Sequence, residues 1–261
     1  MRIVRFKTGG GASWGVLQGD LVTPLAGNPV HGGITPAGPA VTLSALELLA
    51  PVEPSKIVCV GRNYRSHVGE MGWEAELGPV LFLKPPSAVI ATGDRIQLPA
   101  ESSLVEPEPE LAVVIGRRAR NVSPSEAFDH VFGFVLANDV SARDLMVADG
   151  QWSRAKGFDT FCPVGPWIQT ELDLGRARLR MAVDDEPVTD EAIGAMRLGI
   201  AEIIALASSV FTLEPGDILL TGSPAGRVPL AEGSVVRIWM DDLGVLENVV
   251  AGEDGRRLAV A

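Results

Sequence analysis

Polar and apolar positions alternate in the first stretch, RIVRFK at 2–7, break at TGGGA, resume in SWGVLQ at 13–18, turn at Gly19-Asp20 and continue in LVTPL at 21–25. A period of two interrupted by glycine-rich turns predicts a small β-meander, which reads as a separate cap. A Gly- and Pro-rich loop, 27–38, leads into a short helical pattern, TLSALELLA at 42–50, stopped by Pro51 because the residue before proline is pushed out of the α region. The domain boundary is placed near residue 52, giving a small β-rich N-terminal domain, 1–52, and a larger domain, 53–261.

From Lys56 onward the runs KIVCVG, VLFLK, LAVVIG and VFGFVLAND have strand length and β-branched content, with Gly, Pro and Asp turns between them. A helix is expected from SPSEAFDHV at 123–131, with Ser123 as N-cap, Pro124 in the first turn and Glu126 completing a capping box. Another runs through LGIAEIIALASSVF, where Leu198, Ala201, Ile204, Ala205 and Ser208 recur at helical spacing. Two strands, SVVRIWM and VLENVVA, close the chain around the turn DDLG. The class is α+β, mainly β, with a mixed sheet or barrel.

Composition supports this picture, since 29 glycines and 19 prolines in 261 residues favour turns over long helices. With Lys+Arg at 22 and Asp+Glu at 33 the net charge is −11, which argues against a sequence-independent hold on nucleic acid or an anionic membrane. The N-terminus lacks the apolar run of a secretory signal, and no apolar run approaches membrane-span length, so a soluble cytoplasmic protein is expected. Cys59 and Cys162 form no metal or redox spacing and read as reduced, buried residues. Neither a phosphate-cradling GxxxxGK[ST] nor a strand-linked GxGxxG occurs, which disfavours nucleotide chemistry.

Charge placement is more informative than charge total. In VEPEPELAVVIG, 105–116, Glu106, Glu108 and Glu110 occupy alternate positions of an extended chain and so share a face. Three anions on one face repel unless a positive charge lies among them. The competing reading is a solvated acidic loop on an edge strand. A second acid, Asp139, ends the apolar strand VFGFVLAND, where burial demands a partner. If Asp139 meets Glu108 and Glu110, the result is an all-oxygen site suited to Mg²⁺, Mn²⁺ or Ca²⁺, with positions left for water or a chelating substrate. Glu106 is then the odd one out and is expected to be exposed.

In GRNYRSHVGEMG, His67 and Glu70 stand three apart and share a face if the segment forms a helical turn; the plainer reading is a surface histidine beside a chance acid. Of three histidines, His31 lies in the Gly-Pro loop and His130 in the segment after Ser123, leaving His67 as the best candidate base. Lys156, within QWSRAKGFDTFCPVGPW, is either a solvated charge or a fixed cation for a substrate carboxylate or developing oxyanion. Thr221 and Gly222, in LLTGSPAG, offer a hydroxyl and an amide to a ligand, or form a plain turn.

GRNYRSHVGEMG, LFLKPPSAV, EPELAVVIG, NDVSARD, AKGFDTFCPVGPW, LEPGDILLTGSPAG and the closing LG.LEN together resemble the fumarylacetoacetate hydrolase family, in order and approximate spacing, over roughly 56–250. The first 52 residues resemble the smaller N-terminal domain of many bacterial members. The resemblance implies a catalytic domain of mixed β-sheets rolled into a distorted barrel, and usually a homodimer. It implies that Glu108, Glu110 and Asp139 are divalent-metal ligands, typically for Mg²⁺, and that His67 and Glu70 are the lid-borne pair that activates water. It further assigns Lys156, with Arg62 and Thr221, to substrate binding. Members act on 2-oxo acids and their enols, so an enzyme of 2-oxo acid or aromatic-degradation metabolism is expected, with hydrolysis of an acylpyruvate-like substrate leading. Isomerisation of a 2-hydroxy-diene-dioate and decarboxylation of oxaloacetate are the alternatives, and a metal-binding protein without turnover is the competitor from another class. The sequence departs from the family pattern at Met146, where glutamine is common, in EAIGAMRLG at 191–199, and in TGSPAGRVPL, which has Ser223 for threonine and lacks the usual Gly-Val-Gly.

Overall fold

A computed structural model describes residues 1–72, 74 and 78–252; the last positions assigned to the larger domain, 253–261, lie outside the described residues. Among the described residues the strands form a twelve-stranded mixed sheet, a five-stranded sheet and a two-stranded ribbon. The chain is mainly β, as its sequence predicts.

The middle of the large sheet is Pro109–Ile115, antiparallel to Val131–Asn138 on one side and to Ile218–Leu220 on the other. Ile218–Leu220 runs parallel to Ile57–Gly61, which pairs in turn with Val80–Lys84. Every residue of Pro109–Ile115 is buried, the condition under which a strand becomes a continuous apolar run rather than an alternating one. Pro109 is tolerated because it opens the strand. Leu111, Val113 and Ile115 face a core shared with the helix Ile200–Val210 and with Leu179, Met181 and Ile238 of the second sheet. Ala112 and Val114 face the opposite core with Cys59, Val135, Ala137 and Leu220. Each large apolar side chain so buried contributes about 2 kcal/mol.

The N-terminal meander forms as Arg2–Thr8, Gly11–Gln18 and Leu21–Pro24. Its first strand also pairs outside the meander, Arg2 with Gln169 and Ile3 with Ile168, so the meander joins the edge of the large sheet. Its first strand has an edge to satisfy, and its partner lies more than 160 residues away. Two predicted helices differ. The segment 42–50 gives only a 3₁₀ turn, Leu43–Ala45, and a short strand, Leu48–Leu49, paired to Phe6 and Arg5. After Ser123 there is a 3₁₀ turn, Ala127–His130, because the Ser123 hydroxyl is spent on Glu126 Oε2 (2.5 Å) and the chain re-enters a strand at Val131. The helix Ile200–Val210 buries Ile200, Ile203, Ile204, Ala207 and Ser208, with Ala201 and Ala205 on its flank. Both cysteines are free and buried, and burial pushes their thiols up, that of Cys162 to about 12. No helix among the described residues is long and apolar enough to cross a membrane.

Candidate active site

The antiparallel register Pro109↔Asn138 dictates what lies just beyond it: Glu108 faces Asp139, and the Asp139 amide donates to the Glu108 carbonyl at 2.9 Å. The Asn138 side chain fixes this junction by accepting from the Glu108 amide at 2.9 Å. Glu110, two residues along, projects on the same side as Glu108. One ligand atom from each of Glu108, Glu110 and Asp139 lies within 4.8 Å of the others, and all three residues are buried. The sequence-predicted triad is thus brought together by strand pairing alone.

The cations that the three anions require are present. Lys156, on the short helix Ser153–Gly157, bridges Glu108 Oε2 and Asp139 Oδ2, the latter at 2.6 Å. Its own charge is reinforced: burial disfavours the ammonium, but Asp139 and Glu108 outweigh that and raise its pKa. Lys84, 1% exposed, donates to Asp139 Oδ1 at 2.7 Å and to the Val140 carbonyl at 3.2 Å. Arg143 reaches Glu108 through Nη2 and Glu106 through Nε at 2.8 Å. Burial pushes the Glu108 carboxyl up, yet Arg143 and Lys156 together hold it well below the usual carboxylate range.

Glu106 is corrected by the structure. Expected to be exposed, it is 2% exposed, held by Arg143 and, through a two-point contact at 3.0 Å, by Arg227. Lys84, Arg143 and Arg227 were not singled out from the sequence. The only signal for them was the repulsion among the glutamates, which demands cations without saying where in the chain they come from.

Glu110 differs from its neighbours. It accepts one backbone hydrogen bond, from the Gly222 amide at 2.6 Å, and among the described residues no cation pairs with it. Burial, then Asp139 and Glu108, push its carboxyl well above the usual range. Gly222 is glycine of necessity: it has φ +97°, and a Cβ would stand 2.7 Å from Asn63 Cβ and 2.9 Å from the Val60 carbonyl. An all-oxygen donor set in which one buried carboxylate lacks positive charge fits a hard divalent cation.

His67 lies on the helix Arg65–Glu70 and is 5% exposed. Its Nδ1 is 3.3 Å from Glu70 Oε2, and its Nε2 is 3.5 Å from Glu108 Oε1. Burial lowers its pKa, Glu108 opposes this, and Arg143 and Lys156 add to the lowering, which favours the uncharged imidazole. Glu70 is anchored in turn by the amides of Gly226 and Arg227, both at 3.1 Å from Oε1. His67, the triad, Arg143 and Lys156 line one pocket together with Arg62, Phe82, Met146 and Trp152. Lys156 Nζ lies 5.1 Å from the centre of the Phe82 ring, so one wall of the pocket is aromatic. Arg62 has φ 64°, a left-handed conformation rare outside glycine. It is held there by Asn63, whose amide donates to Thr221 and Leu198 carbonyls at 2.7 and 3.1 Å. Thr221 is not brought into the pocket: its hydroxyl donates to the Leu111 carbonyl at 2.8 Å. His31 is exposed, and His130 Nδ1 lies 3.3 Å from the Arg117 carbonyl, away from the triad.

Residues 56–251 match the fumarylacetoacetate (FAA) hydrolase C-terminal family, and residues 1–51 match the family described as Rv2993c-like, N-terminal. The chain belongs to the fumarylacetoacetate hydrolase family. It is 42% identical to Protein Rv2993c of Mycobacterium tuberculosis, over 96% of this chain and 98% of that protein. It is similar to the crystal structure of 2-hydroxyhepta-2,4-diene-1,7-dioate isomerase from Mycobacterium marinum, at 39% identity and a TM-score of 0.90, covering 98% of this chain and 100% of that one. It is also similar to maleylpyruvate hydrolase from Sphingobium sp. SYK-6 in complex with manganese(II) and pyruvate, at 31% identity and a TM-score of 0.80, covering 97% and 100%. The family's neighbours therefore include both an isomerase and a hydrolase on this scaffold.

Proposed function

We propose that this chain is a divalent-cation-dependent hydrolase of acylpyruvate-like 2-oxo acids, cleaving the carbon–carbon bond between the distal acyl carbon and the methylene of the pyruvate unit. The observation that carries the reading is His67, buried and held between Glu70 and the Glu108 edge of the carboxylate triad. Glu108, Glu110 and Asp139 hold the cation, Mg²⁺ in this reading, with Mn²⁺ and Ca²⁺ satisfying the same donors. A bound cation of this kind polarises a chelated 2-oxo carboxylate and stabilises enolate charge.

The chain's own groups supply the rest. Glu70 accepts a hydrogen bond from the Nδ1–H of His67, which leaves the Nε2 lone pair to take a proton from water. The hydroxide so released adds to the distal carbonyl. When the carbon–carbon bond breaks, its electron pair goes to the methylene carbon, and the proton held on Nε2 is returned there, giving a carboxylic acid and pyruvate. Lys156 and Arg62 bind the substrate's anionic groups, and the Lys156 ammonium steadies developing oxyanion charge.

Isomerisation of a 2-hydroxy-diene-dioate is the second reading, favoured by the likeness to the Mycobacterium marinum isomerase; it needs the same cation site and proton relocation without water. The deciding experiment follows the ultraviolet enol band of a short acylpyruvate with purified protein and Mg²⁺, then with excess chelator. Cation-dependent loss of the band with stoichiometric pyruvate supports hydrolysis. A stable band, alongside shift of a 2-hydroxy-diene-dioate spectrum, moves the function to isomerisation.

A further inference from the structure

A circuit of polar contacts runs around the candidate site and closes on one residue, Arg227. On one arm its backbone amide donates to Glu70 Oε1 at 3.1 Å, Glu70 Oε2 is 3.3 Å from His67 Nδ1, and His67 Nε2 is 3.5 Å from Glu108 Oε1. On the other arm its guanidinium donates two 3.0 Å bonds to Glu106, and Glu106 Oε2 accepts from Arg143 Nε at 2.8 Å. Arg143 Nη2 then reaches Glu108 Oε1. Both arms end on the same oxygen.

The backbone that presents Arg227 is rigidly placed. Gly226 has φ +141°, a Cβ there would stand 2.1 Å from Thr189 Oγ1, and that hydroxyl donates to the Ala225 carbonyl at 2.9 Å. The side chain of Arg227 is 35% exposed and covers the buried side chain of Glu106. Arg143 is shared between two buried carboxylates. With Glu106 matched by Arg227, the Arg143 fork is set by two fixed anchors; without Arg227 Glu106 has Arg143 alone, which draws the fork away from Glu108 Oε1 while Lys156 still holds Oε2. Only a planar fork serves here, since the contact to Glu106 is two-pointed.

We propose that Arg227 is a positioning residue that sets the distance of His67 from Glu108, acting through Glu70 by its amide and through Glu106 and Arg143 by its guanidinium. This rests on His67 being the base of the proposed hydrolysis. It places a determinant of the reaction in the segment TGSPAGRVPL, outside the pocket lining.

The test is Arg227→Gln, which cuts the guanidinium arm and keeps the amide arm, with Glu106→Gln and the double variant beside it. Expected is a fall in kcat for acylpyruvate hydrolysis of about 10- to 100-fold with KM little changed, and no further loss in the double variant, since both substitutions open one circuit. Because the chain has three histidines, imidazole NMR signals give a readout independent of turnover: those of His67 should move in Arg227→Gln while those of His31 and His130 stay. Unmoved His67 signals overturn the proposal, as does a loss confined to thermal stability. If the wild-type protein does not hydrolyse acylpyruvates, the hydrolytic reading fails by itself and the NMR comparison still decides the role of Arg227.

Discussion

Two buried carboxylates mark opposite ends of one strand, Ile218–Leu220. Asp217, immediately before it, accepts from the Ser55 hydroxyl at 2.7 Å, from the amides of Ser55, Lys56 and Glu214 at 3.0, 3.1 and 2.7 Å, and pairs with the Lys56 ammonium. Glu110, beside the loop that follows the strand, accepts from one amide, while burial, then its carboxylate neighbours Asp139 and Glu108, push its pKa up. Asp217 ties the segment after the N-terminal meander to the sheet; its charge is fully answered by fixed donors. Glu110 is left short of positive charge in a pocket lined by His67 and the two buried cations Arg143 and Lys156. Burial of an acid therefore does not by itself mark a functional site. What distinguishes one is a deficit that a ligand can make good.

The contrast can be broken at either end. The largest expected effect is at the site: His67→Ala should lower acylpyruvate hydrolysis by about 10³-fold, with the melting temperature within a few degrees of wild type and any decarboxylation retained, as read by pyruvate release against carbon dioxide release. Undiminished hydrolysis would remove His67 from its role. Next, Asp217→Ala should cost about 3 kcal/mol of unfolding free energy, since it leaves the part-exposed Lys56 ammonium and the amides of Ser55, Lys56 and Glu214 without their acceptor; denaturant melts check this. Little loss there would mean that the donors find water, and that the two ends differ less than their contacts indicate.

The smallest effect is in pH dependence. The folded-state carboxyl of Glu110 titrates above its unfolded value, so its contribution to stability is present below the ordinary glutamate range and is lost as pH rises through the raised value. Glu108, held low, runs the opposite way: its contribution is present above the ordinary range and is lost only on acidification. The gain in melting temperature on adding Mg²⁺ should consequently grow as pH rises above the ordinary glutamate range. A gain that is flat with pH would show that Glu110 does not hold the deficit.

Much of this site is legible in the sequence because it depends on local periodicity. Spacing of two puts Glu108 and Glu110 on one side, and an acid at the end of an apolar strand marks Asp139. Spacing of three brings His67 and Glu70 together once a single helical turn forms. What is not legible depends on contacts between distant segments. Glu106 looks like a solvated rim acid until Arg143, 37 residues away, and Arg227, 121 residues away, fold over it. The strand alternation of VLFLK places Lys84 on one face but does not say that Asp139 lies under it. Thr221, at the start of a Gly- and Pro-containing loop, looks free to contact a ligand, yet it bonds the neighbouring strand. The meander was readable strand by strand, whereas its fusion to the large sheet rests on an edge pairing that no local pattern encodes.

The most direct test is calorimetric titration of the metal-stripped protein with Mg²⁺, for the wild type and for Glu110→Gln. Expected is one ion per chain in the wild type and an affinity reduced by about 100-fold or more in the variant, with the variant's stability in the absence of metal equal to or above that of the wild type. Equal affinity in the two proteins, or no binding by either, would contradict the assignment of Glu110 as the carboxylate that completes a cation site.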